Sequence, residues 1–294
     1  MKAQASPLKQ VTFSLTVDVE EWYQDLWPGT EKIVMEYYHH KLPRGTFVKP
    51  LRLILQMLER QHVRATFFVL GECAEACPEM VEEIYENGHE VASHGYIHQD
   101  LTKMATDEIE KNEKRNRDLL RKIVREKPQG FRAPLFKINS EVIHALERIG
   151  YEYDSSVMPC INIPGWFGYF NAPLHPYRVK GSERNFFEVP LAVFPYLRLP
   201  AGGGWFLRNF GWRFVETTIR LLLRKRVPTV FYVHPLDVCS DVPRLAGIPF
   251  HITRRCGEYT LKAVEHILEN IDCKKVTIED MLKNVKDLSP QECR

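Results

Sequence analysis

The chain lacks any apolar run near the roughly 20 residues that a membrane-spanning helix requires. Its first ten residues carry Lys2 and Lys9 but no apolar h-region ahead of Val11-Thr12-Phe13-Ser14-Leu15, so no secretory leader is legible. It also lacks an excess of either charge. With 40 Lys+Arg against 38 Asp+Glu the net charge is +2, which gives no pull toward nucleic acid. A regular cysteine framework is missing as well. The seven cysteines are an odd number without repeated spacing, which suits free thiols in a reducing compartment. Cys73 and Cys77 stand four apart at a helix entry, and Cys239, Cys256, Cys273 and Cys293 are scattered, so no second metal site is read from them. These absences lead us to expect a cytoplasmic protein without nucleic-acid partners; the oligomeric state is not legible.

What is present is an ordinary globular composition, 44% apolar and 27% charged, in 294 residues with no internal repeat, low-complexity tract or evident linker. Strand-like and helix-like segments alternate. Val11 to Val17 reads as a strand with Phe13, Leu15 and Val17 on one face, and Asp18 follows it. Trp22 to Phe47 reads as a long aromatic-rich loop broken by Pro28-Gly29 and Pro43. A helix is expected from Pro50 to Arg60, a buried strand over Arg64 to Leu70, and a helix from Pro78 that stops at Asn87-Gly88. A short strand, Glu90 to Ala92, precedes a charged helix over Thr106 to Arg125. Gly130-Phe131-Arg132 and Tyr153-Asp154-Ser155 read as strand ends, on either side of a helix capped by Ser140 and ending at Gly150. Pro159 to Pro200 loosens into a Pro- and aromatic-rich stretch with one strand, Phe186 to Leu191. Ala201 to Gly204 reads as a flexible turn, where glycine either lets a polymer approach the backbone or forms a hinge. Helices follow over Trp212 to Arg224 and Thr260 to Asn270, with the strand Thr229 to Val233 between them.

Such alternation predicts an α/β fold with a parallel sheet, whose chemistry collects at the C-terminal ends of the strands. Asp18, His94, Arg132, Asp154 and His234 all fall at or just after those ends. In Ser93-His94-Gly95-Tyr96-Ile97-His98, two imidazoles four apart can share one divalent ion, which then needs an oxygen ligand and an open position. Asp18 and Glu20 of Asp18-Val19-Glu20-Glu21 face one side of an extended segment and offer a carboxylate ligand and a base, while Glu21 faces away. Arg132 can keep a neighbouring carboxylate ionised and oriented through forked hydrogen bonds. His234 can protonate a departing amine. Asp154 can accept a hydrogen bond from His234 and hold it charged. Taken singly, each of these residues has a plainer structural reading, as a cap, a surface ion pair or a solvated acid. Trp22, Tyr23, Trp166, Phe167, Tyr169 and Trp205 lie in loop-like regions, where their rings either stack on sugars or pin loops to the body.

In order and separation, Thr16-Val17-Asp18-Val19-Glu20, Ser93 to His98, Phe131-Arg132-Ala133-Pro134, Tyr153-Asp154-Ser155-Ser156 and Tyr232-Val233-His234-Pro235 resemble the five motifs of the polysaccharide deacetylases with NodB homology, carbohydrate esterase family 4. Within it, the Asp-Val-Glu-Glu start, Gly88 to Gly95 and the Ala201 to Gly204 turn are most similar to deacetylases of exosortase-linked exopolysaccharide loci. The resemblance implies a distorted, incomplete (β/α)7-type barrel with a strand-end active site in a single domain over 1–294. Within that domain 159–210 is a loop-rich insertion and 239–294 a C-terminal extension. It implies metal-dependent removal of N-acetyl groups from an amino-sugar polysaccharide or oligosaccharide. In this pattern Asp18 is the base, Glu20, His94 and His98 hold a divalent metal, zinc, and Arg132 orients the base. Asp154 tunes His234, the general acid, and the Leu135 backbone N–H serves the oxyanion. Trp22, Tyr23, Trp166 and Trp205 are the substrate-binding candidates. The chain departs from the commoner adjacent-aspartate pattern: Val19 occupies the usual ligand position, which shifts that role to Glu20. Two other readings stand beside this one, an amidohydrolase acting on a small cyclic amide or ureide, and a catalytically inactive carbohydrate-binding protein. With no leader legible, a polymer substrate implies either a lipid-linked intermediate, with the protein peripherally associated with the inner membrane face, or a leader that this sequence does not include.

Overall fold

The computed structural model describes residues 11–24, 30–164 and 166–283, and the backbone of 290–291. Its first strand, β1 (Thr12–Val19), is buried along its whole length. Successive side chains of a strand point to opposite faces, and here both faces are covered. Phe13, Leu15, Val17 and Val19 join the large apolar cluster beneath the helices. Ser14, Thr16 and Asp18 alternate with them on the opposite face and are fully enclosed. A polar row facing the inside of a curled sheet requires internal partners, and Arg132 supplies them to Thr16 and Asp18.

The remaining elements follow as α1 (Glu31–Tyr37), α2 (Val48–Arg60), β2 (Thr66–Val69), α3 (Gly71–Ala76), α4 (Pro78–Glu86), β3 (Glu90–Ser93), α5 (Thr106–Val124), β4 (Gly130–Phe131), α6 (Ser140–Ile149) and β5 (Tyr153–Asp154). The second half adds β6 (Tyr177–Val179), β7 (Phe187–Glu188), the hairpin β8 (Val193–Phe194) and β9 (Leu199–Pro200), α7 (Gly204–Phe210), α8 (Trp212–Arg224) and β10 (Thr229–Val233). It closes with α9 (Phe250–Thr253), α10 (Glu258–Asn270), β11 (Lys274–Lys275), α11 (Ile278–Lys283) and β12 (Pro290–Gln291).

The sheet runs β10-β1-β2-β3-β4-β5-β7-β6-β12, and β11 pairs with β1. Every pairing from β10 to β7 is parallel. Seven strands therefore curl as a (β/α) barrel. Between β7 and β10 the ladder thins to the single bridges Leu191↔Val230 and Gly203↔Tyr232, which leaves the barrel distorted and incomplete at that seam. Helices cover the outside. Leu51, Ile54, Leu55 and Leu58 of α2 bury one 3.6-period stripe against the β1 face, each contributing roughly 1.5–3 kcal/mol.

Several sequence expectations change. The segment read as a long loop over Trp22 to Phe47 contains α1, whose Val34 packs on Trp22 and Leu236. Pro28 and Gly29 lie outside the described residues. The cap of α6 is Asn139, whose side chain accepts from the Val142 N–H, not Ser140, which is the first helical residue. Ala201 to Gly204 is no hinge. A Cβ at Gly203 would stand 2.3 Å from the Tyr232 ring, and one at Gly204 would stand 2.1 Å from the Asp237 carboxylate. The glycines let the chain's own β10 and the turn after it approach closely, so no room is left for a polymer there. Residues 240–283 pack into the body: β11 pairs with the start of β1, and α10 buries Val264, Ile267 and Leu268 in the main core. All six cysteines among the described residues are free. No helix among the described residues is long and apolar enough to cross a membrane.

Candidate metal centre and active site

Three donor side chains converge at the C-terminal rim of the barrel. Glu20, just past β1, places Oε2 3.1 Å from His98 Nε2 and 3.5 Å from His94 Nε2. The donor atoms of all three residues lie within 4.8 Å of one another, and no other such group occurs among the described residues. Apart from these two imidazoles, neither Glu20 oxygen has a hydrogen-bond partner among the described residues, although the side chain is buried. Ligands about 2.0–2.1 Å from a tetrahedral ion sit roughly 3.3 Å apart, so these spacings and the otherwise unpartnered carboxylate fit a shared divalent cation. The Glu20 carboxyl is held below the usual carboxylate range: burial pushes it up, and the charges of His98 and His234 with contacts from both metal-facing histidines outweigh that burial.

The two imidazoles are presented by a loop, not by a helical turn. The His94 N–H donates to Val69 O, and Gly95 then takes φ +87°, which suits glycine. Asn116 of α5 donates to Gly95 O at 2.8 Å, to Ser93 Oγ at 2.8 Å and to Val69 O at 3.1 Å, holding the loop from below. His94 Nδ1 faces Arg132 O at 2.8 Å. Donating its proton there fixes the tautomer and turns the Nε2 lone pair toward Glu20.

Asp18 stands beside this centre. Its Oδ1 accepts from Arg132 Nη1 at 2.6 Å, and its Oδ2 lies 3.8 Å from His234 Nε2 without a hydrogen bond of its own. Arg132 is fully buried and spreads its donors: Nε to Ser155 O at 2.8 Å, Nη2 to Ser155 Oγ at 2.9 Å, and Nη1 also to Thr16 Oγ1 at 2.8 Å. The expected fork onto one carboxylate is therefore a single bond, because the other donors anchor the guanidinium to β1 and to the end of β5. The Phe68 ring, 4.1 Å from the guanidinium carbon, covers one face.

Asp154 does not meet His234. Its oxygens accept from Ser156 N–H at 3.0 Å and Ser156 Oγ at 2.6 Å, and β7 places Glu188 beside it. Burial pushes the Asp154 carboxyl up against the pull of Glu188, Ser156 and Arg132. The carboxylate that faces His234 Nδ1 is Asp237, at 3.6 Å, and its Oδ2 also accepts the His234 N–H at 2.7 Å. Arg208 of α7, fully enclosed, donates to Asp237 Oδ1 at 2.6 Å. The Asp237 carboxyl lies below its ordinary range: burial raises it, and Arg208 and then His234 overcome that. Asp237 escaped the sequence reading. The available signal was its place at the third position of a Pro235-opened turn, where an acid caps the preceding residue.

Asp18, Glu20, His94, His98 and His234 share one pocket with Leu135, Trp166, Phe167, Trp205 and Tyr232. Leu135 has φ +60°, an uncommon conformation for its type, at the pocket wall. Trp22 is not part of that wall; it is buried against Val34 and Leu236. Tyr23 donates to Pro43 O at 2.9 Å and lines an adjoining cavity, which shares Gln24, His98 and Leu135 with the pocket. The Tyr169 hydroxyl donates to Ile138 O, which pins its loop to the body. Glu21 points away, as expected: its oxygens accept from Gly45 N–H at 2.6 Å and Thr46 N–H at 2.7 Å.

Comparison with known proteins agrees with this geometry. A family model described as polysaccharide deacetylase matches residues 49–153, and a model described as a domain of unknown function matches 155–281. A peptidoglycan deacetylase-like protein of Gibberella zeae is 33% identical over 106 residues, 35% of this chain and 31% of that protein. The chain spans less than half the length of the curated relatives it matches. Among solved structures, a candidate polysaccharide deacetylase from Mycobacterium smegmatis superposes with TM-score 0.66 at 19% identity, covering 98% of this chain and 95% of that one. A pseudoenzyme of carbohydrate esterase family 4 from Bacillus anthracis superposes with TM-score 0.53 at 14% identity, covering 93% of this chain and 66% of that one. The motifs in order, the curled parallel sheet and the strand-end donor cluster fit these matches, and residues 49–153 of the chain belong to the polysaccharide deacetylase family.

Proposed function

We propose that the protein is a metal-dependent hydrolase that removes N-acetyl groups from an amino-sugar polysaccharide and releases acetate. One observation carries this reading: a carboxylate and two imidazoles turn their donor atoms to one point beside the open Asp18 Oδ2. Two nitrogens and one oxygen form a catalytic-zinc donor set, and zinc is the ion we propose for Glu20, His94 and His98. When bound there, it supplies Lewis acidity and makes water a better nucleophile. Asp18 Oδ2 takes the proton of the water that attacks the acetamide carbonyl, with Arg132 keeping the carboxylate ionised. The Leu135 N–H donates to the oxygen that gains charge. His234 Nε2 gives its proton to the sugar nitrogen as the C–N bond breaks, and Asp237 stabilises the imidazolium. Trp166 and Trp205 supply ring faces for the sugar. The adjoining cavity beside His98 lengthens the binding surface, which favours a polymer over a small cyclic amide.

The test is acetate release from N-acetylglucosamine oligomers by the purified protein, with metal content measured in parallel. Chelation is expected to abolish release, and Zn2+ to restore it at about one ion per chain, the stoichiometry of a single catalytic site. Release that survives full metal removal, or metal-loaded protein that liberates no acetate from any amino-sugar polymer, rejects the proposal; the second result leaves an inactive carbohydrate-binding protein.

A further inference from the structure

An aromatic surface rises out of the pocket on the side of α7 and α8. Trp205, at the pocket wall, contacts Phe210 with ring centroids 5.9 Å apart, and Phe210 contacts Phe214 at 5.8 Å. Phe214 stacks on Phe194 at 6.1 Å, and Phe194 contacts Tyr196 at the tip of the β8–β9 hairpin, also at 6.1 Å. On the other side of Trp205, His251 makes an edge contact at 5.7 Å and Phe250 precedes it in α9. The outermost members stand in solvent: Tyr196 is 64% exposed, Leu197 62%, Phe210 62% and Phe250 72%. Large apolar side chains rarely gather this openly on a surface that meets only water.

The charge on the same stretch has one sign. Residues 192–228 hold seven Arg and Lys and one acid, Glu216, in a chain whose net charge is only +2. Arg208 and Arg220 are paired internally with Asp237 and Glu216. Arg213, Arg224, Lys225 and Arg226 are exposed, and Lys225 Nζ lies 4.6 Å from the centre of the Tyr196 ring. Phenylalanine, leucine and tyrosine tips next to exposed cations are the combination that enters the headgroup layer of an anionic bilayer. A neutral sugar polymer offers no counter-charge to that cationic rim, and Leu197 has no ring face to stack on a sugar.

We propose that the Tyr196–Leu197 hairpin tip, Phe210 and Phe250, with the cations of α8, form a docking surface for an anionic lipid membrane. Docking there brings the mouth of the pocket to the lipid headgroups, which suits a substrate carried at the membrane. The assignment stands on the surface itself and is read out without acetate release, so its failure and that of the deacetylase reading are separate.

The whole chain is sedimented with phosphatidylcholine vesicles and with mixed phosphatidylcholine–phosphatidylglycerol vesicles. Binding is expected on the mixed vesicles, with little on the neutral ones and loss at high salt. Arg213→Glu with Lys225→Glu should weaken it by more than about ten-fold. Leu197→Ser with Phe250→Ser should weaken it comparably while acetate release from soluble oligomers is unchanged. Equal binding to both vesicle types, or to neither, overturns the proposal. So does a serine variant that keeps vesicle binding but loses retention on polysaccharide, or one that dissolves a solution dimer.

Discussion

Two buried arginine–aspartate pairs hold His234 between them, and they differ in what their second oxygen does. In both, an enclosed guanidinium donates at 2.6 Å: Arg132 to Asp18 Oδ1, and Arg208 to Asp237 Oδ1. Asp18 keeps Oδ2 unbonded and turned into the pocket, whereas Asp237 uses Oδ2 to cap the His234 backbone and face Nδ1. Arg208 closes its own set on Ile252 O and Arg254 O, outside the reacting centre. Arg132 closes its set on Thr16 and Ser155, which are part of the barrel wall. The same pair chemistry thus serves two ends: one leaves a carboxylate oxygen available, and the other consumes both oxygens to fix a neighbour.

The sharpest separation should come from rate. Asp18→Asn is expected to lower kcat for acetate release by about two to four orders of magnitude. Asp237→Asn, which leaves the proton donor in place, should cost about ten- to a hundred-fold, as supporting groups do. Equal losses would mean that Asp18 is no more than a scaffold.

Stability gives the next contrast. Arg132→Leu or Arg208→Leu alone strands a buried carboxylate, and each should lower unfolding free energy by about 3–5 kcal/mol in denaturant titrations. Arg208→Leu with Asp237→Leu should recover most of that loss and keep measurable acetate release. Arg132→Leu with Asp18→Leu should recover stability and no activity. If both double variants behave alike, the division of labour between the pairs is wrong.

A pH-dependent effect lies beneath the His94 loop. Glu113 of α5 is buried, and that burial pushes its carboxyl up to about 8 against bonds from Tyr96 and Ser93. A carboxyl whose folded pKa exceeds its unfolded one stabilises the fold fully at low pH. The contribution is lost as pH rises from about 4.5 to about 8, at roughly 1.4 kcal/mol per pH unit. Glu113→Gln should flatten that slope in unfolding titrations at several pH values. An unchanged slope would assign the pH dependence elsewhere.

The sequence made the first half of the molecule far more readable than the second. Long periodic helices such as α2, α5 and α6 announce themselves, and Asp18, Glu20, His94 and His98 sit where strand ends must deliver them. Strands of two or three residues, β6 to β9, carry too few positions to show a period of two. The seven-residue α1 hides among aromatics for the same reason. Asp154 misled because a strand-end acid near a histidine motif looks like its partner, while the curl of the sheet turns it toward Ser156 and Glu188. Asp237 was overlooked because it acts from a turn, three residues after the group it supports.

The tight glycine run has a practical consequence. At Gly202, Gly203 and Gly204 even a methyl group would collide with Ala192, Tyr232 or Asp237. The turn that carries Trp205 and Phe206 into the pocket wall therefore cannot be reshaped one side chain at a time. Libraries aimed at new sugars should vary Trp166 and the rim around it, and should treat the three glycines as fixed masonry.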